Sequence, residues 1–533
     1  MSRLRSAIAV RATLGRVALA ALLVAVFLVV VAVAEKGGGE SAPRPDHAVR
    51  LVPATALVYL HADVDRSSSQ WSRATAITKK LPLLADLRER LLGDLAKGRA
   101  RVDPEREIYP WLGQEAALAL LPDRRGIARS LILAEVADRD LAGDFVGRVV
   151  GPERTVVYRG VKMSVHGALA TAFLGDFLAI GRPANVEAAI DVRAHRARSL
   201  DSTAAFERTR DKLPRGRRLL YAYAAPRGVR GVIEPRPGLI GWLGSLVDDR
   251  GLEGVAASML ATKRGLRVNF ASVLRRRGGR AAAEDQPYHP VLQVIVPGSA
   301  AAFIDTRGAD RLLSGAQELG KASLPFPDLL LPLRSTLARG GGALTSALGV
   351  LLERETAVVV TRSGNTPVLS LVISGVDEAE ATSLLLRVQP LLTKLLAEPS
   401  VLGAVPTFEP RQIAGLDAAT LRITPALELT FAVYNGRLII STRPDGVRAF
   451  ANAQKPLSAN ALFASGTQGR PETVTSLIFL DLRQLLALGE QAGLGRVAEF
   501  QDFKADLSNV RALSAVTSTS KTSKSAEIFI EVQ

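Results

Sequence analysis

The chain has 533 residues, of which 47% are hydrophobic, 23% charged and 5% aromatic, with no cysteine and a formal net charge of +16. This composition is that of a globular protein, and the length calls for more than one core. The missing cysteines exclude disulfide bonds, thiolate zinc sites and a cysteine nucleophile.

A membrane segment is predicted at the N-terminus. Residues 1–16 form a basic stretch with four arginines, and residues 17–34 are an unbroken apolar run. Eighteen helical residues extend about 27 Å, close to the hydrocarbon thickness of a bilayer. Because all four arginines precede the run, we expect a cytoplasmic N-terminus and an extracytoplasmic bulk, in a single-pass protein of the cell membrane. Ala32-Val33-Ala34 also fits a signal-peptide cleavage motif, but the length of the run favours an uncleaved anchor.

An internal duplication is predicted after a linker at residues 35–46. Six segments recur in the same order, which predicts a basic repeat domain 1 at 47–274, a linker at 275–291 and a charge-balanced repeat domain 2 at 292–533. The paired segments are 52–60 with 296–304, 115–136 with 355–376, 175–183 with 436–444, 200–206 with 457–463, 219–223 with 476–480, and 255–273 with 510–532.

The fold class predicted from these segments is α+β. Each copy contains apolar strands joined by tight polar turns and interrupted by helices, a pattern typical of mainly antiparallel sheets. The expected architecture is thus an N-terminal transmembrane helix followed by two duplicated domains with interspersed helices. The leucine-rich stretches 329–337 and 384–396 are interrupted by proline and basic residues. They are predicted to be buried or amphipathic helices.

The start of the first copy resembles a known family. Its residues 52–65 read Val-Pro-Ala-Thr-Ala-Leu-Val-Tyr-Leu-His-Ala-Asp-Val-Asp, and Ser69-Gln70-Trp71 follows on a predicted helix. With the preceding anchor, this segment resembles a bacterial family of uncharacterised membrane-anchored exported proteins, domain-of-unknown-function family 3352. The resemblance would cover most of the chain after the linker. It implies a membrane-attached extracytoplasmic protein and supplies neither an activity nor functional residues.

One group of polar residues has the spacing of a metal site. His61, Asp63 and Asp65 alternate at the end of the first predicted strand, which places them on one face. The structural interpretation is that the strand leaves the core here and that Asp65 and residues 67–69 cap the next helix. That interpretation is favoured, because the matching positions of the second copy carry Asp305, Arg307 and Ala309. We therefore predict no metal ligand, no catalytic residue and no cofactor, and the sequence assigns no binding residue.

No motif of a known enzyme class supports catalysis. The chain lacks G-x-S-x-G and H-E-x-x-H, and the glycines at 340–342 precede no Gly-Lys-Ser/Thr. A carboxylate pair assembled by folding would escape such a scan. The absence of motifs favours a protein that is not an enzyme.

Charge is distributed unevenly between the two copies. Residues 47–274 hold 36 basic and 25 acidic side chains, whereas residues 292–533 hold 22 of each. Export separates the chain from nucleic acid, so an anionic lipid or wall polymer is the partner expected for domain 1. Its excess cations are expected to lie together on one side, in turns around the matched strands: Arg193, Arg196, Arg198, Arg215, Arg217, Arg218, Arg227 and Arg230.

The leading functional hypothesis is a non-catalytic binding or scaffolding protein of the cell envelope, attached to the membrane through its N-terminal helix. A carrier of lipid or another apolar ligand, with leucine-rich helices lining a cleft, is one alternative. A hydrolase with an unrecognised site is the other. The sequence identifies no protein partner.

Overall fold

The computed structural model covers the chain, and the part that can be described begins after the predicted anchor. Both the apolar run at 17–34 and the leucine-rich stretch at 329–337 lie outside the described residues. Among the helices of the described part, none combines the length and apolar character needed to cross a bilayer. The described residues are 45–78, 80, 104–123, 125–150, 154–216, 218–233, 251–275, 286–307, 351, 353–396, 408–424, 427–491, 493–496, 500–501, 504 and 507–533.

The chain divides into two compact units. Unit 1 comprises Met1–Arg277 with Thr522–Ser525, and unit 2 comprises Gly278–Lys521 with Ala526–Gln533.

The sheet of unit 1 has the strand order β4-β5-β6-β7-β3-β2-β1-β8-β9-β10, and every neighbouring pair is antiparallel. Its central strand β1 therefore comes from the start of the unit. The strands are β1 Val58–Asp63, β2 Leu112–Pro122, β3 Ala128–Val136, β4 Arg154–Tyr158, β5 Val161–His166, β6 Leu169–Leu174, β7 Phe177–Gly181, β8 Leu220–Ala224, β9 Leu252–Ala261 and β10 Gly265–Leu274.

Unit 2 has the corresponding order, β14-β15-β16-β17-β13-β12-β11-β18-β19-β20. Its central strand β11 occupies the position that β1 has in unit 1. The strands are β11 Ala302–Arg307, β12 Glu355–Ser363, β13 Thr366–Ser374, β14 Glu409–Ile413, β15 Leu416–Thr424, β16 Leu427–Tyr434, β17 Arg437–Ser441, β18 Ser476–Asp481, β19 Val510–Thr519 and β20 Ser523–Val532.

Helices connect the strands in both units. A short 3-10 turn precedes the central strand of each sheet, at Ala48–Leu51 and at Leu292–Val294. The α-helices are α1 Ser69–Thr78, α2 Pro104–Glu107, α3 Arg139–Val150, α4 Pro183–Arg193, α5 Ala204–Arg210, α6 Pro226–Gly228 (followed by a π-helical turn at Val229–Ile233), α7 Glu378–Leu396, α8 Pro444–Ala451, α9 Ala461–Gly466 and α10 Leu482–Gln491. Further 3-10 turns lie at Leu200–Ser202, Leu457–Ala459 and Leu494–Arg496.

Local sequence explains several of these boundaries. Both α4 and α8 begin with proline, whose fixed φ suits the first turn of a helix. The hairpin between β16 and β17 turns through Asn435 and Gly436, both with positive φ, which suits a type I′ turn.

Each sheet is covered on both faces. In unit 1, Tyr59 packs with Phe206 on the face covered by α4 and α5, while Trp111 packs with residues of α3 in a separate cluster. In unit 2, Phe303 lies in the corresponding core, and α7 packs Leu384 and Val388 into a second cluster. The side chains of alternating strand residues thus pack into two apolar layers per unit, one on each face of the sheet.

The predicted α+β class and its antiparallel sheets are confirmed. The predicted helix at 384–396 is confirmed as the C-terminal part of α7, in which Leu384 and Val388 are buried and Leu386 is exposed.

Candidate functional site

Four ligand-bearing side chains meet near the start of the described part of unit 1. Asp46 and His47 immediately precede the first 3-10 turn, His61 lies on β1, and Glu115 lies on the neighbouring strand β2. We refer to these four residues as the Asp46 cluster. They come together because the 3-10 turn lies against the face of the sheet on which β1 and β2 present His61 and Glu115.

The distances within the Asp46 cluster are short. The His61 Nε2 atom lies 3.0 Å from Glu115 Oε2 and 3.9 Å from Asp46 Oδ1. The His47 Nδ1 atom lies 3.6 Å from Glu115 Oε1. The His61 and Glu115 side chains are only 14% and 8% exposed, whereas that of His47 is 52% exposed. The cluster is therefore closed on the sheet side and open towards His47.

Each carboxylate of the Asp46 cluster also accepts backbone hydrogen bonds. Glu115 accepts from the His47 N–H at 3.2 Å, and Asp46 Oδ1 accepts from the Val49 N–H at 3.0 Å. Asp46 Oδ1 further accepts from the Tyr59 hydroxyl at 2.7 Å. Such bonds satisfy the unpaired N–H groups at the start of a 3-10 turn, so part of the cluster has a structural role.

The charges of the two carboxylates control the titration of their neighbours. Burial alone would lower the pKa of His61, but Asp46 and Glu115 more than offset this effect, and the pKa of His61 is raised. Burial, followed by the charge of Asp46, raises the pKa of the Tyr59 hydroxyl well above its ordinary value. Tyr59 therefore stays protonated and acts as a donor to Asp46.

Unit 2 has a counterpart at the same strand register. In β1 and β2, His61 faces Ala117 and lies diagonally from Glu115; in β11 and β12, Asp305 faces Ala357 and lies diagonally from Glu355. Glu355 Oε1 accepts from the N–H groups of Val291 and Leu292 at 2.7 and 2.9 Å. The glutamate that caps the 3-10 turn is therefore common to both units.

The partner of that glutamate differs between the units. Asp305 is 0% exposed, and neither of its carboxyl oxygens has a hydrogen-bond partner among the described residues. Burial and the charge of Glu355 raise the pKa of Asp305 well above its ordinary value. Burial likewise raises the pKa of Glu355. The unit 2 pair therefore consists of two buried carboxyl groups with raised pKa values, whereas the unit 1 pair joins a histidine with a glutamate.

The three polar residues singled out in the sequence do not form a site together. Asp63 Oδ1 accepts from the Asp65 N–H, and Asp65 Oδ1 accepts from the Ser67 hydroxyl at 2.6 Å. Ser68 Oγ accepts from the Trp71 N–H and caps α1. The helix-capping interpretation is confirmed, and only His61 of the three belongs to the Asp46 cluster.

Sequence reasoning missed the other members of this cluster. It placed Asp46 and His47 at the edge of a linker and treated Glu115 only as the start of a repeated segment. The ungapped match of 115–136 with 355–376 was the available signal, because it aligns the two capping glutamates.

The cations predicted to face an anionic partner include two groups in the described part of the chain, while Arg217 lies outside the described residues. Next to Ala54 and Leu57, at the start of β1, lies the Arg198 patch, which consists of Arg196, Arg198, Arg227 and Arg230. Near the opposite end of β1 lies the Arg215 patch, which consists of Arg210, Lys212, Arg215 and Arg218. A strand of six residues spans about 20 Å, so these residues do not form a single cluster.

The Arg215 patch is the one close to the Asp46 cluster. The Arg218 guanidinium carbon lies 5.6 Å from the centre of the Tyr221 ring, and the Tyr221 and Tyr59 rings are 6.4 Å apart. Tyr59 in turn donates to Asp46. Arg218 is therefore connected to Asp46 through the Tyr221 and Tyr59 rings.

These features define an α+β protein built on ten-stranded antiparallel sheets, in which a glutamate caps the turn that leads to each central strand. The chain belongs to the DUF3352 family, described as proteins of unknown function, whose model matches residues 14–532.

Comparisons beyond the family are sparse. No curated protein matches the sequence. Crystal form I of TP0453 is similar at 9% identity and a TM-score of 0.28, covering 46% of this chain and 89% of that one. Crystal form III of TP0453 is similar at 9% identity and a TM-score of 0.26, covering 44% and 81%. Structural similarity at TM-scores this low gives no information about mechanism or ligand.

Proposed function

We propose that the protein is a membrane-anchored, extracytoplasmic binding protein without catalytic activity, whose unit 1 faces a polyanionic surface of the cell envelope. The observation that carries the proposal is the position of the Arg215 patch. Its Arg218 lies over the Tyr221 ring, which packs near Tyr59, and Tyr59 donates to Asp46, the residue at which the predicted 35–46 linker ends.

The length of the linker sets the distance to the membrane. Twelve flexible residues have an end-to-end distance of about 20 Å. Arg210, Lys212 and Arg215 are exposed, so an anchored chain would hold them near the headgroups. Each cation near an anionic surface contributes about 1 kcal/mol, and the attraction decays over about 10 Å at 0.1 M salt. Lipid headgroups and anionic wall polymers offer the same chemistry.

Vesicle binding by residues 35–533, the chain expected after removal of the apolar run, tests the proposal. We expect binding to vesicles that contain anionic lipid, weak binding to neutral vesicles, and loss of binding as salt rises to 1 M. The triple variant Arg210→Gln/Lys212→Gln/Arg215→Gln should bind about 100-fold more weakly, because three cations contribute about 3 kcal/mol. If a soluble anionic polymer displaces the protein from the vesicles at an equal concentration of charge, wall polymer would be the preferred anionic partner.

The Arg198 patch supplies a matched control of equal net charge. The variant Arg196→Gln/Arg198→Gln/Arg227→Gln should keep most of the affinity, because these side chains lie at the other end of β1. Equal losses of vesicle affinity in the two triple variants would show that binding depends on net charge and not on the position of the cations. Binding by the wild type that is indifferent to salt would refute the electrostatic basis altogether.

The membrane topology and the duplication are part of the same proposal. A reporter fused after Gln533 should be active only outside the cytoplasm, as the arginines before residue 17 predict. Cytoplasmic activity of that fusion would contradict the topology. The common strand order of the two sheets supports an origin by duplication of one ten-stranded unit.

The two alternatives have less support. A carrier needs an open apolar cleft, yet Leu384 and Val388 of the leucine-rich helix α7 are packed in a core. A hollow of about 370 Å³ beside Trp111 has four charged residues among its nine lining residues, so its wall is only partly apolar. A hydrolase would need its own nucleophile or activated water, and the Asp46 cluster is the place where such chemistry would be sought.

A further inference from the structure

We propose that the Asp46 cluster is a binding site for one divalent transition-metal ion of the zinc class, held by Asp46, His61 and Glu115 with His47 as an additional ligand. The bound ion would link residues 46–47 to strands β1 and β2 of the sheet. The site does not depend on the proposed anionic surface.

The spacing of the donor atoms fits such an ion. One ligand atom from each of Asp46, His61 and Glu115 lies within 4.8 Å of the others. Zinc-class ions bind nitrogen and oxygen at about 2.0–2.2 Å, so tetrahedral ligand atoms are about 3.3–3.6 Å apart. The separations of 3.0 and 3.9 Å from His61 Nε2 bracket that value. Only small side-chain adjustments are required.

The fourth position is supplied by the open side of the cluster. His47 Nδ1 lies 3.6 Å from Glu115 Oε1, and its half-exposed side chain has room to turn. Two imidazoles and two carboxylates form a mixed donor set that suits zinc, iron or nickel better than magnesium, which prefers oxygen alone.

Unit 2 shows that the fold itself does not require these side chains. The 3-10 turn, the capping glutamate and the strand register are the same in both units. In unit 2, however, Pro290, Val291 and Asp305 occupy the places of Asp46, His47 and His61. Capping therefore explains Glu115 and the bond from the Val49 N–H to Asp46, but it gives no reason for the two imidazoles of unit 1 beside these carboxylates. Their convergence on one point is what the metal site explains.

The surroundings of the cluster also orient its donors. The Tyr59 hydroxyl and the Val49 N–H both donate to Asp46 Oδ1, which fixes the orientation of that carboxylate. The His47 N–H does the same for Glu115. Hydrogen bonds of this kind to ligating carboxylates are the usual support of a metal site. On binding, the proton shared between His61 Nε2 and Glu115 would be released to solvent, and one bond from each side chain to the ion would replace the hydrogen bond.

Zinc binding by the full-length protein in detergent micelles tests the inference. After treatment with a chelator, the wild type should take up one tight equivalent of Zn²⁺ in equilibrium dialysis and should show no comparable uptake of Mg²⁺. Co²⁺ at the same site should give the visible spectrum of a four-coordinate ion. The variant Asp46→Pro/His47→Val should bind zinc more than about 100-fold more weakly, because it lacks two ligands.

This variant keeps the experiment interpretable, because it carries the residues that unit 2 uses in the same turn. Circular dichroism should confirm its fold, and His61→Asn provides an independent second loss of a ligand. His195→Ala/His289→Ala removes two exposed histidines elsewhere and should leave zinc binding unchanged. Absence of a tight equivalent in the wild type, its retention in both ligand variants, its loss in the His195/His289 control, or equal affinity for Mg²⁺ would each overturn the assignment.

Discussion

Removing the capping glutamate of unit 2 should destabilise that unit by a predictable amount. Glu355 Oε1 accepts from the N–H groups of Val291 and Leu292, and Leu292 is fully buried. Replacement by alanine leaves both donors without their acceptor. A buried N–H without a partner costs about 1–3 kcal/mol, and the more exposed Val291 can turn to water instead. The expected loss for Glu355→Ala is therefore about 2–4 kcal/mol.

Glutamine at the same position should behave differently. Its carbonyl oxygen can accept from the same two N–H groups, and its amide can donate to the Asp305 carboxyl group, which has no partner among the described residues. The expected loss for Glu355→Gln is thus about 1 kcal/mol or less. The exposed Glu353→Ala serves as a control and should stay within about 0.5 kcal/mol of the wild type.

Differential scanning calorimetry can measure these losses, since all three tryptophans lie in unit 1 and fluorescence would not follow unit 2 directly. For a unit of this size, about 2–4 °C accompanies each kcal/mol. The transition of unit 2 should therefore fall by about 4–16 °C for Glu355→Ala. Equal losses for alanine and glutamine would refute capping as the role of this residue and would point to its charge.

Two further predictions concern stability. Because the pKa of Asp305 is raised in the folded state, its contribution to stability is fully present below its unfolded pKa near 3.8 and is lost as the pH rises through the folded value. Asp305→Asn should therefore flatten the decline in the free energy of unfolding of unit 2 above pH 4, and an unchanged slope in denaturant titrations would contradict this. A β-carbon at Gly228 would collide with the backbone of Leu57, so Gly228→Ala should lower the free energy of unfolding of unit 1, followed by tryptophan fluorescence, by more than about 2 kcal/mol. Gly231→Ala, with open space around it, should cost little.

Periodicity and repeats predicted the sheets well, because strand alternation and turn residues are local signals. The hairpins at 115–136 and 355–376 form as expected, with positive φ at Gly126 and Gly364 in their turns. The Asp46 cluster was not predictable in the same way. Asp46 comes close to His61 because the chain reverses at the 3-10 turn that follows it. The periodicity of the sequence does not predict the direction in which such a turn leads the chain. The exposed arginines were predicted to lie together on one side, which stays a prediction; along the chain, β8 lies between the two patches.

The order of strands also has a kinetic consequence. Val58 of β1 pairs with Ala224 of β8, and Ala302 of β11 pairs with Leu480 of β18, so each central strand gains its second neighbour from far along the chain. Closing such long loops before any contact forms is slow, and sheets rich in distant pairings fold in milliseconds to seconds. Until β8 arrives, β1 presents an open edge of unpaired N–H and C=O groups, which is a template for pairing between chains. Aggregation during refolding should therefore depend on how quickly β8 pairs with β1.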